Sequence, residues 1–298
     1  MDDNEYLAAV LESQRLTDDS EEMEALREHR DDVEELLMDA FASATPTIRY
    51  GGSKAKGTLI KESYDLDVVC YFPSGEDGAG KTLEEIYNNV RDALASEYYV
   101  EEKTSAIRLK SKGTASFGLD FHIDVVPGRY TDDDEGDCYL FQKNAEKGRL
   151  KTNLDVHLDH IKKSGVRDAL RLTKLLRCRK GVSIKQFAYE LLAIKLLRTK
   201  KAANLASQLK HVLMQIKDSE SPIAIEDPAN PTGNDLMLLL DDVWPELRWM
   251  ATSTLDQVSA GGWQAVFGAV ETANKTAKIA ALSAAASAVT SPTRPWSS

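Results

Sequence analysis

Residues 50–58 of the chain read YGGSKAKGT, and residues 64–69 read YDLDVV. The second stretch predicts the start of a β-strand, and the side chains of a strand alternate between its two faces. Asp65 and Asp67 are therefore expected on one face, while Leu66 points to the opposite face and can be buried. Two like charges side by side on a strand repel each other, and a bound divalent cation removes that repulsion. Taken alone, such a pair is more often a solvated strand edge than a metal site.

A second acidic stretch, FGLDFHIDVVP, covers residues 117–127. Its apolar side chains alternate with Asp120, His122 and Asp124, so these three are expected on one face. Asp124 is the preferred third ligand because it lies near the strand end; Asp120 is the alternative, and His122 is at most an outer neighbour. Mg²⁺ prefers hard oxygen ligands and commonly shares substrate phosphates. The predicted ligands of Mg²⁺, with Mn²⁺ as the alternative ion, are Asp65, Asp67 and Asp124.

A glycine-rich turn precedes the first acidic pair. Gly52 lets backbone N–H groups approach an anion closely, and the hydroxyl of Ser53 adds a hydrogen-bond donor. The Walker spacing GxxxxGK[ST] is absent, so the turn is not a P-loop of that kind. Short Gly-Ser turns are common, but together with the carboxylates this one favours a site for the phosphates of a nucleotide.

Local patterns divide the chain into an α+β part and a helical part. Helices are predicted over 4–16, 20–43 and 82–97, and strands over 47–50, 66–72, 98–103, 107–110 and 116–126. From about residue 153 the pattern is helical. We therefore expect an α+β fold with a mixed or antiparallel sheet. The expected domains are N-terminal helices with a catalytic domain (1–150), a helical domain (151–288) and a flexible tail (289–298).

Composition narrows the class of protein. The 298 residues contain no apolar run of about 18 residues, so no membrane span is expected. The N-terminus is acidic and unlike a secretory leader. Three scattered cysteines fit neither a disulfide framework nor a zinc site. The predicted location is therefore the reducing cytoplasm.

Charge is unevenly distributed along the chain, whose formal net charge is −11. Residues 1–43 carry fifteen Asp or Glu and three Arg, whereas residues 161–201 carry thirteen Lys or Arg against two acidic residues. The overall charge repels a long polyanion, so no obligatory nucleic acid is expected. Within the basic segment, Arg167, Arg171 and Lys174 share one stripe of a predicted helix. That stripe is either a phosphate site or a solvated helix face.

Several of these motifs together resemble a known enzyme pattern, that of the polymerase-β-type nucleotidyltransferases. The motifs are Gly52-Ser53, Thr58, Asp65-Leu66-Asp67 and a strand ending Asp124-Val125-Val126-Pro127. More narrowly, the chain resembles the group of 2′-5′ oligoadenylate synthases, cyclic GMP-AMP synthase and the bacterial CD-NTases. Residues 169–176 resemble the helix whose lysine touches the triphosphate in those enzymes, and residues 226–234 resemble their late "DP…N" connector. The likeness covers most of the chain.

The resemblance implies a polymerase-β-type nucleotidyltransferase palm followed by a C-terminal helical domain. It implies that Asp65, Asp67 and Asp124 are the catalytic carboxylates. The residues implied to contact substrate are Gly52, Ser53, Thr58, Arg171 and Lys174. The sequence departs from the family where Gln186 replaces a serine that contacts the triphosphate and where Leu176 replaces a frequent tryptophan. No phosphate contact is therefore carried over to Gln186.

The function implied is a metal-dependent nucleotidyltransferase that joins nucleoside triphosphates into a cyclic oligonucleotide messenger of the bacterial anti-phage type, releasing pyrophosphate. The alternative is a template-independent RNA nucleotidyltransferase, CCA-adding or poly(A)-like, with residues 161–201 as its RNA track. A regulatory binding module without activity is disfavoured while all three carboxylates are present. The expected partners are nucleoside triphosphates and an activating protein, with no membrane, and the expected state is a monomer.

Overall fold

The computed structural model describes residues 1–112, 123–131, 136–143 and 146–270. Asp120 and His122, predicted beside Asp124, lie outside the described residues. So do the expected flexible tail, 289–298, and the last part of the expected helical domain, 271–288.

The predicted helices and strands occur in the predicted order, but the structure also has a short helix over Gly52–Lys56 and two strands over Asp137–Phe141 and Arg149–Asn153 that were not predicted. The strand that contains Asp124 was expected to end at Pro127, whereas it continues to Tyr130. The strands are β1 (Thr47–Tyr50), β2 (Leu66–Phe72), β3 (Tyr98–Glu102), β4 (Ile107–Ser111), β5 (Ile123–Tyr130), β6 (Asp137–Phe141) and β7 (Arg149–Asn153). The helices are α1 (Asp3–Ser13), α2 (Glu21–Ala40), α3 (Gly52–Lys56), α4 (Leu83–Leu94), α5 (Leu154–Lys162), α6 (Arg167–Lys180), α7 (Gln186–Leu196), α8 (Leu205–Asp218), α9 (Leu238–Asp241), α10 (Trp244–Gly261) and α11 (Gln264–Phe267).

The strands form one mixed sheet. Its order is β1-β2-β5-β4-β3, and β6 pairs with β5 and carries β7 on its other side. The central neighbours β2 and β5 run parallel, whereas the other pairs are antiparallel. The predicted α+β class, with a mixed sheet followed by helices, is confirmed.

Helices α2 and α4 cover one face of this sheet. Each begins at a side-chain cap: Ser20 accepts a hydrogen bond from the Met23 N–H, and Thr82 forms a capping box with Glu85. Their apolar residues form one core with alternate residues of the two central strands. The strand residues of that core include Leu66, Val68, Cys70, Phe72, Ile123 and Val125. Because side chains alternate, the residues between them point to the opposite face.

The helical part has its own apolar core, formed by residues of α5 to α11 with their connecting segments. Helix α1 precedes the sheet in sequence, yet Tyr6, Leu7 and Val10 are buried in this helical core. The Asn4 side chain also accepts a hydrogen bond from the backbone N–H of Ala206 at 3.0 Å. The first helix therefore packs with the C-terminal half of the chain. The domain boundary at residues 150 and 151 stays a prediction.

Across the described ranges, no helix combines the length and the apolar character that crossing a lipid bilayer requires.

Candidate active site

The parallel pairing of β2 with β5 places Asp67 beside Asp124. In the register of the two strands, Leu66 pairs with Ile123 and Asp67 pairs with Asp124. Since Leu66 and Ile123 are buried against α2 and α4, both carboxylates belong to the other face. Asp65 is exposed and lies just before the first residue of β2. Strand pairing thus places two of the three predicted ligands on neighbouring strands, with the third two residues away.

The glycine-rich turn lies directly against Asp67. The backbone N–H of Gly51 donates to the Asp67 carbonyl at 2.9 Å. Gly52 has a φ of +66°, and a Cβ added there would lie 1.7 Å from Asp67 Oδ2. Both the backbone angle and the lack of space therefore require glycine at this position. Ser53, the next residue, is buried.

The Asp67 carboxyl lies in an environment that disfavours its charge. Burial raises its pKa to about 6, and the neighbouring charges of Asp124 and Asp65 also act to raise the pKa. The cations Lys56 and Lys174 oppose this shift without cancelling it. The charged form of Asp67 is therefore disfavoured mainly by burial, and an additional cation beside this carboxylate would favour it.

Asp124 is held by an arginine on the neighbouring strand. Arg108 of β4 lies opposite Asp124 in the antiparallel register. Its Nε donates to Oδ1 at 2.8 Å and its Nη2 donates to Oδ2 at 2.7 Å. The hydrogen bonds to Asp124 raise the pKa of the Arg108 guanidinium above its ordinary value. Sequence reasoning missed Arg108, although its position between Ile107 and Leu109, both buried, could have placed it on the carboxylate face.

The three aspartates fit a hard divalent cation in type, but they do not yet surround one position. In the part of the chain that the structure describes, no group of three His, Cys, Asp or Glu side chains stands ready to hold a metal ion. Their oxygen donors are those that Mg²⁺ prefers, and the charges of Asp124 and Asp65 add to the effect of burial in raising the pKa of Asp67. The donor set therefore fits the predicted ion, while Asp124 is engaged by Arg108.

A buried glutamate joins the turn to the helical part. Glu190 of α7 has only 1% of its surface exposed. Its carboxylate accepts hydrogen bonds from Lys56 Nζ at 3.0 Å and from Thr58 Oγ1 at 3.1 Å. Gln186 donates to the same carboxylate at 3.4 Å. The hydroxyl of Thr58, a residue predicted to contact substrate, thus donates its hydrogen bond to Glu190. Sequence reasoning missed the roles of Glu190 and Lys56; the one available signal was a charged residue inside an apolar helix.

The two basic residues predicted from α6 occupy different surroundings. Lys174 is buried, and burial lowers the pKa of its ammonium, whereas Glu190 and Asp65 favour the charged form. Arg171 instead donates to the Leu11 carbonyl of α1 at 3.2 Å. Lys174 therefore lies within the electrostatic influence of the carboxylates, whereas Arg171 binds α1.

Space for a ligand opens next to Asp65. A cavity of about 300 Å³ lies between α2 and α3 and is lined in part by Asp65, Tyr50 and Lys54. Arg27 and Arg30 of α2 also line it. Burial lowers the pKa of the Lys54 ammonium. An anionic group entering beside Asp65 from this side would meet three basic side chains.

Comparison with solved structures finds the same architecture over nearly the whole chain. CdnC of E. coli MS115-1, in a CdnC:HORMA-deltaN complex, is 20% identical, with a TM-score of 0.66 over 90% of this chain and 98% of that chain. The CD-NTase CdnG of Bradyrhizobium diazoefficiens, in complex with GTP, is 13% identical, with a TM-score of 0.66 over 88% and 94%. The Vibrio cholerae cyclic AMP-GMP synthase DncV is 16% identical, with a TM-score of 0.59 over 92% and 86%.

The chain has the CD-NTase fold. No protein-family model matches the sequence, and no curated protein matches it either. The resemblance to CD-NTases noted in the motifs is confirmed by these structural matches. At identities of 20% or less, the likeness establishes the fold of the chain, and the roles of individual residues stay predictions.

Within this CD-NTase fold, the predicted "DP…N" connector is folded back onto α5. Asp227 Oδ1 lies 2.7 Å from His157 Nε2, and Asp227 Oδ2 accepts a hydrogen bond from Asn234 at 2.7 Å. Asn234 also donates to the Lys151 carbonyl at 3.0 Å. The His157 ring packs against Phe187 of α7, with ring centroids 4.5 Å apart. The connector is thus fastened to α5, whose His157 packs in turn against α7, the helix that carries Glu190.

Proposed function

We propose that this chain is a metal-dependent nucleotidyltransferase that joins nucleoside triphosphates into a cyclic oligonucleotide messenger and releases pyrophosphate. The observation that carries the proposal is the pairing of Asp67 with Asp124 on adjacent parallel strands, with Gly52 packed against the Asp67 carboxylate. This arrangement occurs in a chain with the CD-NTase fold. We further propose the bacterial anti-phage signalling role and the cytoplasmic location that the sequence resemblance implies.

Asp65, Asp67 and Asp124 would hold Mg²⁺, or Mn²⁺ in its place. When bound, the ion would lower the pKa of an attacking hydroxyl and neutralise charge on the triphosphate. The charges of Asp65 and Asp124, which both act to raise the pKa of Asp67, support this assignment.

The surrounding residues have separate tasks in the proposed reaction, an in-line attack of the hydroxyl on the α-phosphorus. The new P–O bond forms as the bond to pyrophosphate breaks. The turn at Gly52 and Ser53 would bind phosphate oxygens through backbone N–H groups and the hydroxyl. Lys174 would offset the charge of the departing pyrophosphate. Glu190 would hold the end of the turn against α7 through Lys56 and Thr58.

The internal contacts of the basic segment weigh against the RNA nucleotidyltransferase alternative. An RNA track needs cations that are free to meet phosphates. Several cations of residues 161–201 instead bind groups of the chain itself. These contacts join Arg171 to Leu11, Arg177 to Ile184, Arg179 to Glu62, Lys180 to Gln257 and Lys195 to Ala224. Small nucleotide substrates therefore suit this surface better than a long RNA.

The structural relatives support the proposed substrates and partner. One was solved with GTP and another with ATP. CdnC was also solved as a CdnC:HORMA-deltaN complex. We propose nucleoside triphosphates as substrates, an activating protein as a partner and a monomeric catalytic unit.

The test is product analysis by mass spectrometry. The purified protein is incubated with all four nucleoside triphosphates and Mg²⁺ or Mn²⁺, with and without transfer RNA, and products that resist phosphatase are identified. Discrete cyclic species that disappear in Asp67→Asn support the proposal. Extension of the RNA without any cyclic product would support the alternative, and cyclic product made equally by Asp67→Asn would contradict the assigned site.

A further inference from the structure

Taking the proposed function as its basis, we propose that Arg108 is a positioning residue that holds Asp124 until metal and nucleotide bind, and that it couples the binding of the two. The guanidinium supplies positive charge to both oxygens of Asp124, which an ion would otherwise supply. With an ion on Asp124, Arg108 would leave that carboxylate and would donate to a phosphate of the nucleotide.

The geometry of the pair supports this role. Both oxygens of Asp124 are taken by Arg108 in a two-pronged contact, at 2.8 and 2.7 Å. The side chain of Arg108 is only 25% exposed and that of Asp124 only 18%. A planar guanidinium matches a carboxylate in this way, whereas a lysine ammonium does not. Cross-strand pairing fixes the two residues opposite each other.

The surrounding charges explain why the contact is needed without metal. Asp65 also acts on Arg108 electrostatically, and Asp124 and Asp65 both act on Asp67. Three carboxylates without a nearby cation would repel one another. Arg108 supplies one positive charge to Asp124, and Lys56 and Lys174 supply others towards Asp67. Side chains of the chain itself therefore supply part of the positive charge that the three carboxylates need.

Metal binding disturbs this balance in a defined way. The guanidinium bound to Asp124 would be repelled by a divalent ion on the same carboxylate. The partly buried guanidinium then lacks an acceptor, and leaving it so is costly. Phosphate oxygens offer a two-pronged acceptor of the same kind. Metal and nucleotide each favour the state in which Arg108 has left Asp124, so each should strengthen the binding of the other.

The test measures Mn²⁺ binding by electron paramagnetic resonance, with and without a nonhydrolysable nucleoside triphosphate. In Arg108→Gln, Mn²⁺ alone should bind on the order of tenfold more tightly than in the wild type, since the competing cation is gone. The nucleotide should then strengthen Mn²⁺ binding less in this variant than in the wild type. Arg108→Lys, which keeps the charge and loses the fork, should lie between the two.

Lys110→Gln is the matched control. Lys110 lies two residues after Arg108 on the same face of β4. Its ion pair is with Glu101, at 3.6 Å from Nζ. The variant removes the same charge, and its Mn²⁺ affinity should stay near that of the wild type. If Lys110→Gln and Arg108→Gln change the Mn²⁺ affinity equally, the loss of one positive charge anywhere near the site explains the result, and the proposal is overturned.

Two further outcomes separate this inference from the function on which it rests. If the wild type binds Mn²⁺ with nucleotide, and Arg108→Gln shows the same affinity and the same response to nucleotide, Arg108 has no such role while the proposed site stands. If the wild type binds no Mn²⁺ even with nucleotide, the proposed function fails first. Should Arg108→Gln not fold, as judged by circular dichroism, Arg108→Lys carries the test, and wild-type behaviour in it overturns the inference.

Discussion

At the scale of single residues, the site depends on contacts of a few atoms around one carboxylate. Asp67 meets the backbone of the turn at Gly52, the charge of Asp124 across the parallel strands, and the field of Lys56. Gly52 and Lys56 both belong to α3, whereas Asp124 comes from β5. Small changes at these positions should therefore alter catalysis much more than they alter the fold.

Gly52→Ala is the sharpest change of this kind. The new Cβ would lie 1.7 Å from Asp67 Oδ2 at a φ of +66°, so either the turn or the carboxylate must move. A displacement of about 1 Å at a reacting centre costs roughly 100-fold in rate, and we expect at least that loss in pyrophosphate release. Gly75→Ala is the control, because Gly75 has a similar φ of +74° and nothing within 4 Å of the added Cβ. An equal loss of activity in both variants would contradict the close-contact explanation.

Asp67→Asn tests the charge of the carboxylate without changing its shape. The amide fills the same volume and removes a charge that burial disfavours, so the thermal unfolding midpoint should be unchanged or higher. Turnover should fall on the order of 10³-fold or more, because a neutral amide is a poor ligand for the divalent ion. Pyrophosphate release and differential scanning calorimetry measure the two effects. A large drop in the unfolding midpoint would instead indicate a structural role.

At the scale of secondary-structure elements, the junction between α3 and α7 holds the turn in place. Glu190 accepts from both Lys56 and Thr58, which lie at the end of α3 and just after it. Lys56 also lies over the ring of Phe187, 5.3 Å from its centroid. The turn and the helical part are thus joined through an ion pair that is largely shielded from solvent.

Glu190→Ala should be strongly destabilising, since it leaves the Lys56 ammonium buried without its carboxylate. Breaking a buried pair in this way typically costs about 3–5 kcal/mol, which chemical denaturation can measure. Combining Lys56→Met with Glu190→Leu removes both charges and should be less destabilising than Glu190→Ala alone. If the double variant is the less stable of the two, the ion pair itself is not what holds this junction.

The connector bound to α5 predicts a dependence of stability on pH. Burial opposes ionisation of Asp227, but hydrogen bonds from His157 and Asn234 outweigh burial and hold its pKa below the ordinary value. An aspartate with a lowered pKa stabilises the fold above its unfolded pKa of about 3.9, and that contribution is lost as pH falls through the folded pKa. Asp227→Asn should therefore destabilise the protein at pH 7, by an amount that shrinks as the pH falls below about 4.

Denaturant unfolding across this pH range measures the effect of Asp227→Asn. Asp235→Asn, at an exposed position next to the connector, removes the same charge and should change stability little at any pH. A loss in Asp227→Asn that stays constant down to the lowest pH would contradict the role given to the ionised carboxylate.

At the scale of the whole molecule, contacts between distant segments decide what local patterns leave open. Alternation along β2 and β5 correctly predicted which side chains are buried and which face the other side. The sequences of β4 and β5 do not by themselves predict the register that pairs Arg108 with Asp124. Glu190 and Thr58 are 132 residues apart in sequence. Local periodicity predicts which side chains share one face of a strand or helix. Which residues that face contacts depends on how the whole chain packs.

Helix α1 shows the same limit. Local pattern predicted a helix over 4–16 but did not indicate which core the helix joins, and the chain buries Leu7 and Val10 in the helical one. The acidic N-terminal segment is likewise joined to the basic segment through the contact of Arg171 with the Leu11 carbonyl. Long-range docking of this kind places α6, and with it Lys174, against the carboxylate site.

The most direct test of the carboxylate site is a crystal structure with Mn²⁺ and a nonhydrolysable nucleoside triphosphate, read by anomalous scattering. We expect a Mn²⁺ peak about 2.1 Å from oxygens of Asp65, Asp67 and Asp124, with the phosphates beside the turn at Gly52 and Arg108 released from Asp124. A nucleotide bound elsewhere, or Mn²⁺ absent while Arg108 still holds Asp124 in the presence of bound nucleotide, would contradict the account.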